Sequence, residues 1–163
     1  MNLSIVPAAE SHFEGWRKAV DIVAREKRYL AFLQAPPREQ QFAFFRNIVA
    51  NDLCQLLALM DDVVVGWCDI LPTHGEARAH VGILGIGLVP EARHIGIGAK
   101  LIEAALAKAI EKGISRIELT VRADNANAKA LYERFGFALE GVNRDAFLVD
   151  GKFHDTYSMA LIR

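Results

Sequence analysis

Hydrophobic and polar positions alternate along this chain with two distinct periods, and the switches between them mark its elements. A short apolar stretch at Leu3 to Val6 reads as a first strand. From Glu10 to Arg25, Phe13, Trp16, Val20 and Val23 recur at helical spacing, the mark of an amphipathic helix. The apolar and aromatic run from Tyr29 onward ends in Pro36-Pro37, which cannot continue a helix and predicts a loop. A second helix is expected from about Arg38 to Asn51, with Phe42, Phe45 and Val49 on one face. Two strands, Leu53 to Met60 and Val63 to Leu71, flank the turn pair Asp61-Asp62 and predict a hairpin.

Beyond Pro72 and Gly75 lies a glycine-interrupted apolar segment, Ala79 to Val89. It reads as a strand with a bulge or splay near Gly85 and Gly87, stopped by Pro90. Ile102, Leu106 and Ile110 then predict a helix from Ile97 to Lys112, capped by Gly113. Ile114 to Arg122 alternates as a strand and Asn125 to Phe135 is helical. Two closing strands, Phe137 to Leu148 and Lys152 to Leu161, are joined by Asp150-Gly151, a strong hairpin turn. The expected order is β-α-α-β-β-β-α-β-α-β-β, a mixed α/β arrangement read as one domain over residues 1–163.

Composition narrows the function classes. Lys plus Arg number 19 against 20 Asp plus Glu, a net charge of −1, which gives no electrostatic reason to expect nucleic acid as a partner. No apolar run approaches the length of a membrane span and the amino terminus lacks the pattern of a secretory signal, so a cytoplasmic protein is expected. Cys54 and Cys68 lack the spacing of a disulfide scaffold or a metal motif and are expected to be reduced core residues. The histidines show no zinc-site spacing, and no metal is expected.

The chemistry is concentrated where the strand ending at Leu88-Val89 runs into Arg93-His94-Ile95-Gly96-Ile97-Gly98-Ala99-Lys100 and opens a helix. Such a turn presents unpaired backbone N–H groups, lets an anion approach where Cβ atoms are missing, and adds the positive end of a helix dipole. A Walker loop, G-x-x-x-x-G-K-(S or T), does not fit the sequence, and the spacing differs from a dinucleotide fingerprint.

Arg93 to Gly98 instead matches the pattern (Q or R)-x-x-G-x-(G or A). Asn125-Ala126-Asn127-Ala128-Lys129-Ala130-Leu131-Tyr132-Glu133-Arg134-Phe135-Gly136-Phe137 matches N-x-x-x-x-A-L-Y-x-x-x-G-F. Together, in this order and with a strand between them, the two segments resemble the signatures of the GNAT superfamily of acetyl-CoA-dependent N-acetyltransferases. The resemblance is good from Val63 to Phe137, loose over the closing hairpin, and limited to element order before residue 53.

It implies a mostly antiparallel central sheet of about seven strands flanked by about four helices, with a splayed strand pair that holds acyl-CoA. Leu88 and Val89 would offer backbone groups to the pantetheine arm, with room made near Gly85 to Gly87. The N–H groups of Arg93, His94, Ile95, Gly96, Ile97, Gly98 and Ala99 would hold the pyrophosphate, with Lys100, Asn127 and Lys129 nearby. Asn125 would hydrogen-bond the pantetheine and is also a good helix N-cap. Tyr132 would sit by the thioester sulfur and hydrogen-bond or protonate the leaving thiolate; a backbone N–H, at Leu88 for example, would stabilise the oxyanion.

For the general base, Glu118 is the first candidate, His80 the second and Asp69 the third, with a water chain as the alternative to any of them. Tyr29 and Phe32 either wall the acceptor pocket or pack the first helix pair. The reading is an N-acetyltransferase for a small amine (an amino acid, an analogue or a polyamine), with a homodimer allowed. Peptide amino termini or lysines are the alternative acceptors, and a non-catalytic acyl-CoA-binding module is the alternative class.

Overall fold

The computed structural model describes residues 2–163. β1 (Leu3–Pro7) leads through a short 3-10 turn into α1 (Phe13–Arg25), and α2 (Arg38–Ala50) follows the expected loop. Then come β2 (Cys54–Met60), β3 (Val63–Pro72), β4 (Val81–Leu88), α3 (Ile97–Glu111), β5 (Arg116–Arg122), α4 (Ala126–Arg134), β6 (Ala138–Val149) and β7 (Lys152–Ile162). The seven strands form one sheet in the order β1-β2-β3-β4-β5-β7-β6. Every neighbouring pair is antiparallel except β4 and β5, which run parallel.

Both tight hairpins form where the turn residues predict. Asp61 and Asp62 have φ of 49° and 67°, and Asp150 and Gly151 have 49° and 76°, the left-handed pair that matches strand twist. Gly113, at φ 87°, ends α3 with its N–H on Ile110 O, while Ile114 N–H reaches back to Ala109 O, so the last carbonyls of the helix are satisfied.

α1 and α3 cover β3 and β4 from opposite faces. Phe13, Trp16, Val20 and Val23 are the buried stripe of α1, and Leu101, Ile102, Ala105, Leu106 and Ala109 that of α3. The α2 face is rotated from the expectation: Gln41, Phe45 and Ile48 are buried, whereas Phe42 and Val49 are only partly so. The cause is the aromatic cluster beneath it, where Phe45 sits 4.9 Å from Trp16 and Phe42 5.0 Å from Phe13. Cys54 and Cys68 are buried free thiols, as expected.

Candidate functional site

β4 runs against β3 without a register shift from Gly66↔Leu88 to Pro72↔Gly82. Of the bulge or splay expected near Gly85 and Gly87, the bulge is absent from this pairing, and a register shift lies between β2 and β3 at Ala58/Leu59. β4 opens on its other side. Its pairing with β5 ends at Ile83↔Glu118, after three residue pairs, while β4 runs on to Leu88 and β5 to Arg122. The result is a V-shaped gap.

Backbone direction alternates along an antiparallel strand. Val89 N–H donates to Val65 O at 2.9 Å, so Gly85, Gly87 and Val89 turn their backbone groups to β3, and Leu84, Ile86 and Leu88 turn theirs to the gap. Leu88 thus turns its N–H to the gap, whereas Val89 spends its N–H on β3. Ile86, which the motif reading passed over, is found by stepping back two residues from Leu88.

The glycines of β4 make room for β3 side chains. A Cβ on Gly87 would lie 2.2 Å from Trp67 Cη2, and one on Gly85 would lie 3.2 Å from Asp69 Oδ1. Gly85 and Gly87 thus let Trp67 and Asp69 lean across β4 toward the gap, on the sheet face opposite Cys68. The room expected near Gly85 to Gly87 is that of the parted strands, which separate after Ile83↔Glu118.

At the open end, residues 93–96 form the turn that enters α3. His94 at φ 62° and Gly96 at φ 87° are both left-handed, a conformation that points successive N–H groups inward as an anion-binding concavity. Gly96 and its neighbours His94 and Ile95 are exposed. Arg93 N–H is spent on Pro90 O at 3.3 Å, and Lys100 N–H, bonded to Gly96 O at 3.3 Å, makes the first bond of the helix. The donors left to a ligand are those of the exposed turn and of Ile97, Gly98 and Ala99 in the first helical turn. Gly98 itself is buried, and a Cβ there would meet Leu131 at 3.4 Å and Leu88 at 3.5 Å.

The Arg93 side chain is turned away from the concavity. Its Nε donates to Leu88 O at 3.0 Å, its Nη1 donates to Glu26 Oε1 at 2.9 Å, and its guanidinium lies 4.7 Å from the Tyr29 ring centre. From the other strand, Arg122 Nη1 donates to Lys27 O at 3.0 Å. The end of α1 is therefore clasped by two arginines, one beyond β4 and one at the end of β5, across the mouth of the gap. Tyr29 is held at that mouth, while Phe32 is exposed on the same loop.

α4 lies beside the start of α3. Asn125 caps it, its Oδ1 accepting from Ala128 N–H at 3.2 Å. Asn127 is exposed on the first turn. Lys129 Nζ is paired with Glu133 at 3.2 Å and lies 5.8 Å from the Tyr157 ring centre. Tyr132 is buried with its ring 5.9 Å from Phe137. Burial, and then the nearby Cys68 thiol, push its phenol above the ordinary value, which keeps it protonated as a donor.

The first two candidates for the base lie at the closed end of the V. Glu118 pairs with Ile83 where the strands still bond, and its carboxylate accepts from Arg116 Nε at 2.8 Å and from Arg78 Nη2 at 2.9 Å. The Arg116 hydrogen bond leads in holding its carboxyl below the usual range, a poor state for taking up a proton. His80 precedes β4, exposed, with its carbonyl bonded to Ser115 and Arg116 N–H. Asp69 is different: burial drives its carboxyl up to about 7, against a single hydrogen bond from Gln55. Strand alternation revealed the face of Glu118 but not the arginines that neutralise it.

Among the described residues no group of three or more His, Cys, Asp or Glu is arranged to hold a metal, and no helix is long and apolar enough to cross a membrane.

Known proteins with the same architecture follow from these features. The profile of the Acetyltransferase (GNAT) family matches residues 16–137. An L-amino acid N-acetyltransferase of Escherichia coli is 30% identical over 143 residues, 87% of this chain and 88% of that protein. A GNAT-family acetyltransferase from Streptococcus pneumoniae superposes with a TM-score of 0.91 at 26% identity, covering 99% of this chain and 100% of the other. A phosphinothricin acetyltransferase from Sinorhizobium meliloti, solved with acetyl-CoA, shares the fold with a TM-score of 0.91 at 20% identity, covering 99% and 89%. With a parted strand pair, a phosphate-type turn and a family match over most of its length, the chain belongs to the GNAT family and is an acetyl-CoA-dependent N-acetyltransferase.

Proposed function

We propose that this enzyme acetylates the primary amine of a small molecule, an amino acid or a close analogue, by direct attack in a ternary complex. The observation that carries the reading is the parting of β4 and β5 after Ile83↔Glu118. It leaves the Ile86 and Leu88 N–H groups without a strand partner, so a pantetheine amide can pair with them as an added strand while its pyrophosphate rests in the turn before α3. The acceptor class is supported by the L-amino acid N-acetyltransferase relative, which aligns along both chains, and by an acid, Asp69, on the face away from the buried Tyr132.

The neutral amine attacks the thioester carbonyl carbon and a C–N bond forms. The oxyanion draws on a backbone N–H donor of the parted strand. The C–S bond then breaks, and Tyr132 gives its proton to the departing thiolate. With a phenol reference pKa of ~10, the hydroxyl is protonated at neutral pH and so is available as a donor to the departing sulfur. Asn125 caps α4 and faces the pantetheine from that end.

The test is to incubate the chain with acetyl-CoA and a panel of amino acids, polyamines and peptides, following free thiol. Thiol release that depends on a small amine, with the acetylated amine seen by mass spectrometry, supports the reading. Transfer to peptide amino termini or lysines alone would replace it.

A further inference from the structure

Neither signature segment contains Asp69, yet the sheet places it beside the gap. Across the strands its register partners are Gln55 on β2 and Gly85 on β4. Gly85 lies two residues beyond Ile83, the last β4 residue paired to β5, so the row Gln55, Asp69, Gly85 ends at the open part of the V. The carboxylate has two unlike sides. Oδ2 accepts from Gln55 Nε2 at 3.1 Å, and Oδ1 lies over bare backbone, 3.2 Å from where a Cβ of residue 85 would be. Gln55 is fully buried, and its Oε1 has no hydrogen-bond partner, so its amide is committed to Asp69.

Among the described residues no cation balances this carboxylate. The α1 stripe against the sheet is Phe13, Trp16, Val20 and Val23, and β4 offers only glycine and apolar residues. On β5, Glu118 shares the face but is tied to Arg78 and Arg116. The adjacent thiols of Cys54 and Cys68 are both pushed up by burial and stay neutral.

We propose that Asp69 is the general base of the transfer, its Oδ1 taking a proton from the acceptor ammonium at the gap, directly or through one water, with Gln55 as its positioning residue. The assignment rests on the acetyl-transfer reading above. An amine arrives as an ammonium with three N–H protons. Asp69 takes one and passes it to solvent, one leaves the nitrogen once it has added to the carbonyl carbon and restores Tyr132, and one stays on the amide. Tyr132 supplies the sulfur's proton and recovers it from the one nitrogen releases, so one proton is released per turnover. Burial, which drives the Asp69 carboxyl up to about 7, suits it to this exchange near neutral pH.

The experiment uses the full chain with acetyl-CoA and the best amine from the panel, measuring kcat from pH 6 to 10 for the wild type, Asp69→Asn and Gln55→Leu. Melting curves and acetyl-CoA titrations accompany each variant. The wild type should show an ionisation limb near the Asp69 value of about 7. Asp69→Asn should lose ~10²–10⁴-fold in kcat at neutral pH, keep its acetyl-CoA affinity, and regain activity only as the free amine itself deprotonates. Gln55→Leu removes the hydrogen bond that lowers the Asp69 value, so its limb should move to higher pH, which a purely structural role would not produce. If Asp69→Asn does not fold, that displaced limb alone decides. Wild-type kcat and an unchanged limb in either variant overturn the assignment while leaving acetyl transfer intact. Absence of turnover by the wild type with every amine overturns acetyl transfer, and the base with it.

Discussion

Trp67 occupies the space that a side chain on Gly87 would need: a Cβ there would fall 2.2 Å from Cη2 and 2.5 Å from Cζ2 of the indole. Both residues are buried, so neither can yield into solvent. Gly87→Ala should therefore act as overpacking, costing about 1–3 kcal/mol. Roughly 2–4 °C of melting temperature per kcal/mol is expected for a chain of this size. An unchanged melting curve would mean that Trp67 does not lie across β4.

Position 96 tests the turn without touching the core. Gly96 has φ 87°, and a Cβ there meets no protein atom within 4 Å, so the penalty for Gly96→Val is conformational, roughly 1–3 kcal/mol. Acetyl-CoA affinity should fall about tenfold or more, with melting lowered by roughly 2–4 °C per kcal/mol of that penalty. Gly98→Ala, whose Cβ would make ordinary contacts with Leu131 and Leu88, should bind acetyl-CoA nearly as well as the wild type. Calorimetric titration of both variants compares the two glycines directly.

Legibility in the sequence followed the range of the interaction. The hairpins at Asp61-Asp62 and Asp150-Gly151, the α3 cap at Gly113 and the turn at Gly96 depend on the conformation of one or two residues, which residue type reveals. What escaped depends on partners brought together by the sheet. Glu118 alternates onto the gap's face in the sequence, but Arg78, 40 residues away, answers its charge. The clasp of α1 joins Arg93 to Glu26 over 67 positions and Arg122 to Lys27 over 95. Asp69 owes its state to Gln55 and to the absence of a side chain at Gly85, and neither carries a motif. Gly85 and Gly87 were visible as interruptions, but only the register shows which side chains fill the space.

The Asp69 carboxyl should also leave a mark on stability. Its folded value of about 7 lies above the ordinary 3.8, so the folded chain retains a proton that the unfolded chain releases. Stability should decline as pH rises from the ordinary carboxylate range through the folded value, with the penalty complete above it. Asp69→Asn removes that penalty, on the order of 2–4 kcal/mol for a shift of this size. The variant should melt higher than the wild type at pH 8, with the difference shrinking toward pH 5. A variant destabilised equally at both pH values would show that the carboxylate is not strained by burial.

Tyr132→Phe keeps the buried ring and its contact with Phe137 but removes the hydroxyl. If that hydroxyl protonates the leaving sulfur, kcat should drop ~10- to 10²-fold, toward the low end of general-acid effects when amine attack is the slow step. Acetyl-CoA affinity and melting should barely move. Loss of both affinity and turnover would assign the hydroxyl to binding or packing, and an undiminished kcat would leave the proton to water.

The central claim is acetyl transfer to a small amine, and the most direct measurement is the specificity constant across matched acceptors. Free L-amino acids, their amides, polyamines and peptides beginning with the same residue would each be assayed by thiol release from acetyl-CoA, with mass spectrometry of the product. The account predicts acceptor-dependent release with at least one free amino acid or small analogue, at a kcat/KM well above that of the corresponding peptide, and an acetyl group on its amine nitrogen. Turnover confined to peptides, or tight acetyl-CoA binding with no acceptor acetylated, would contradict it.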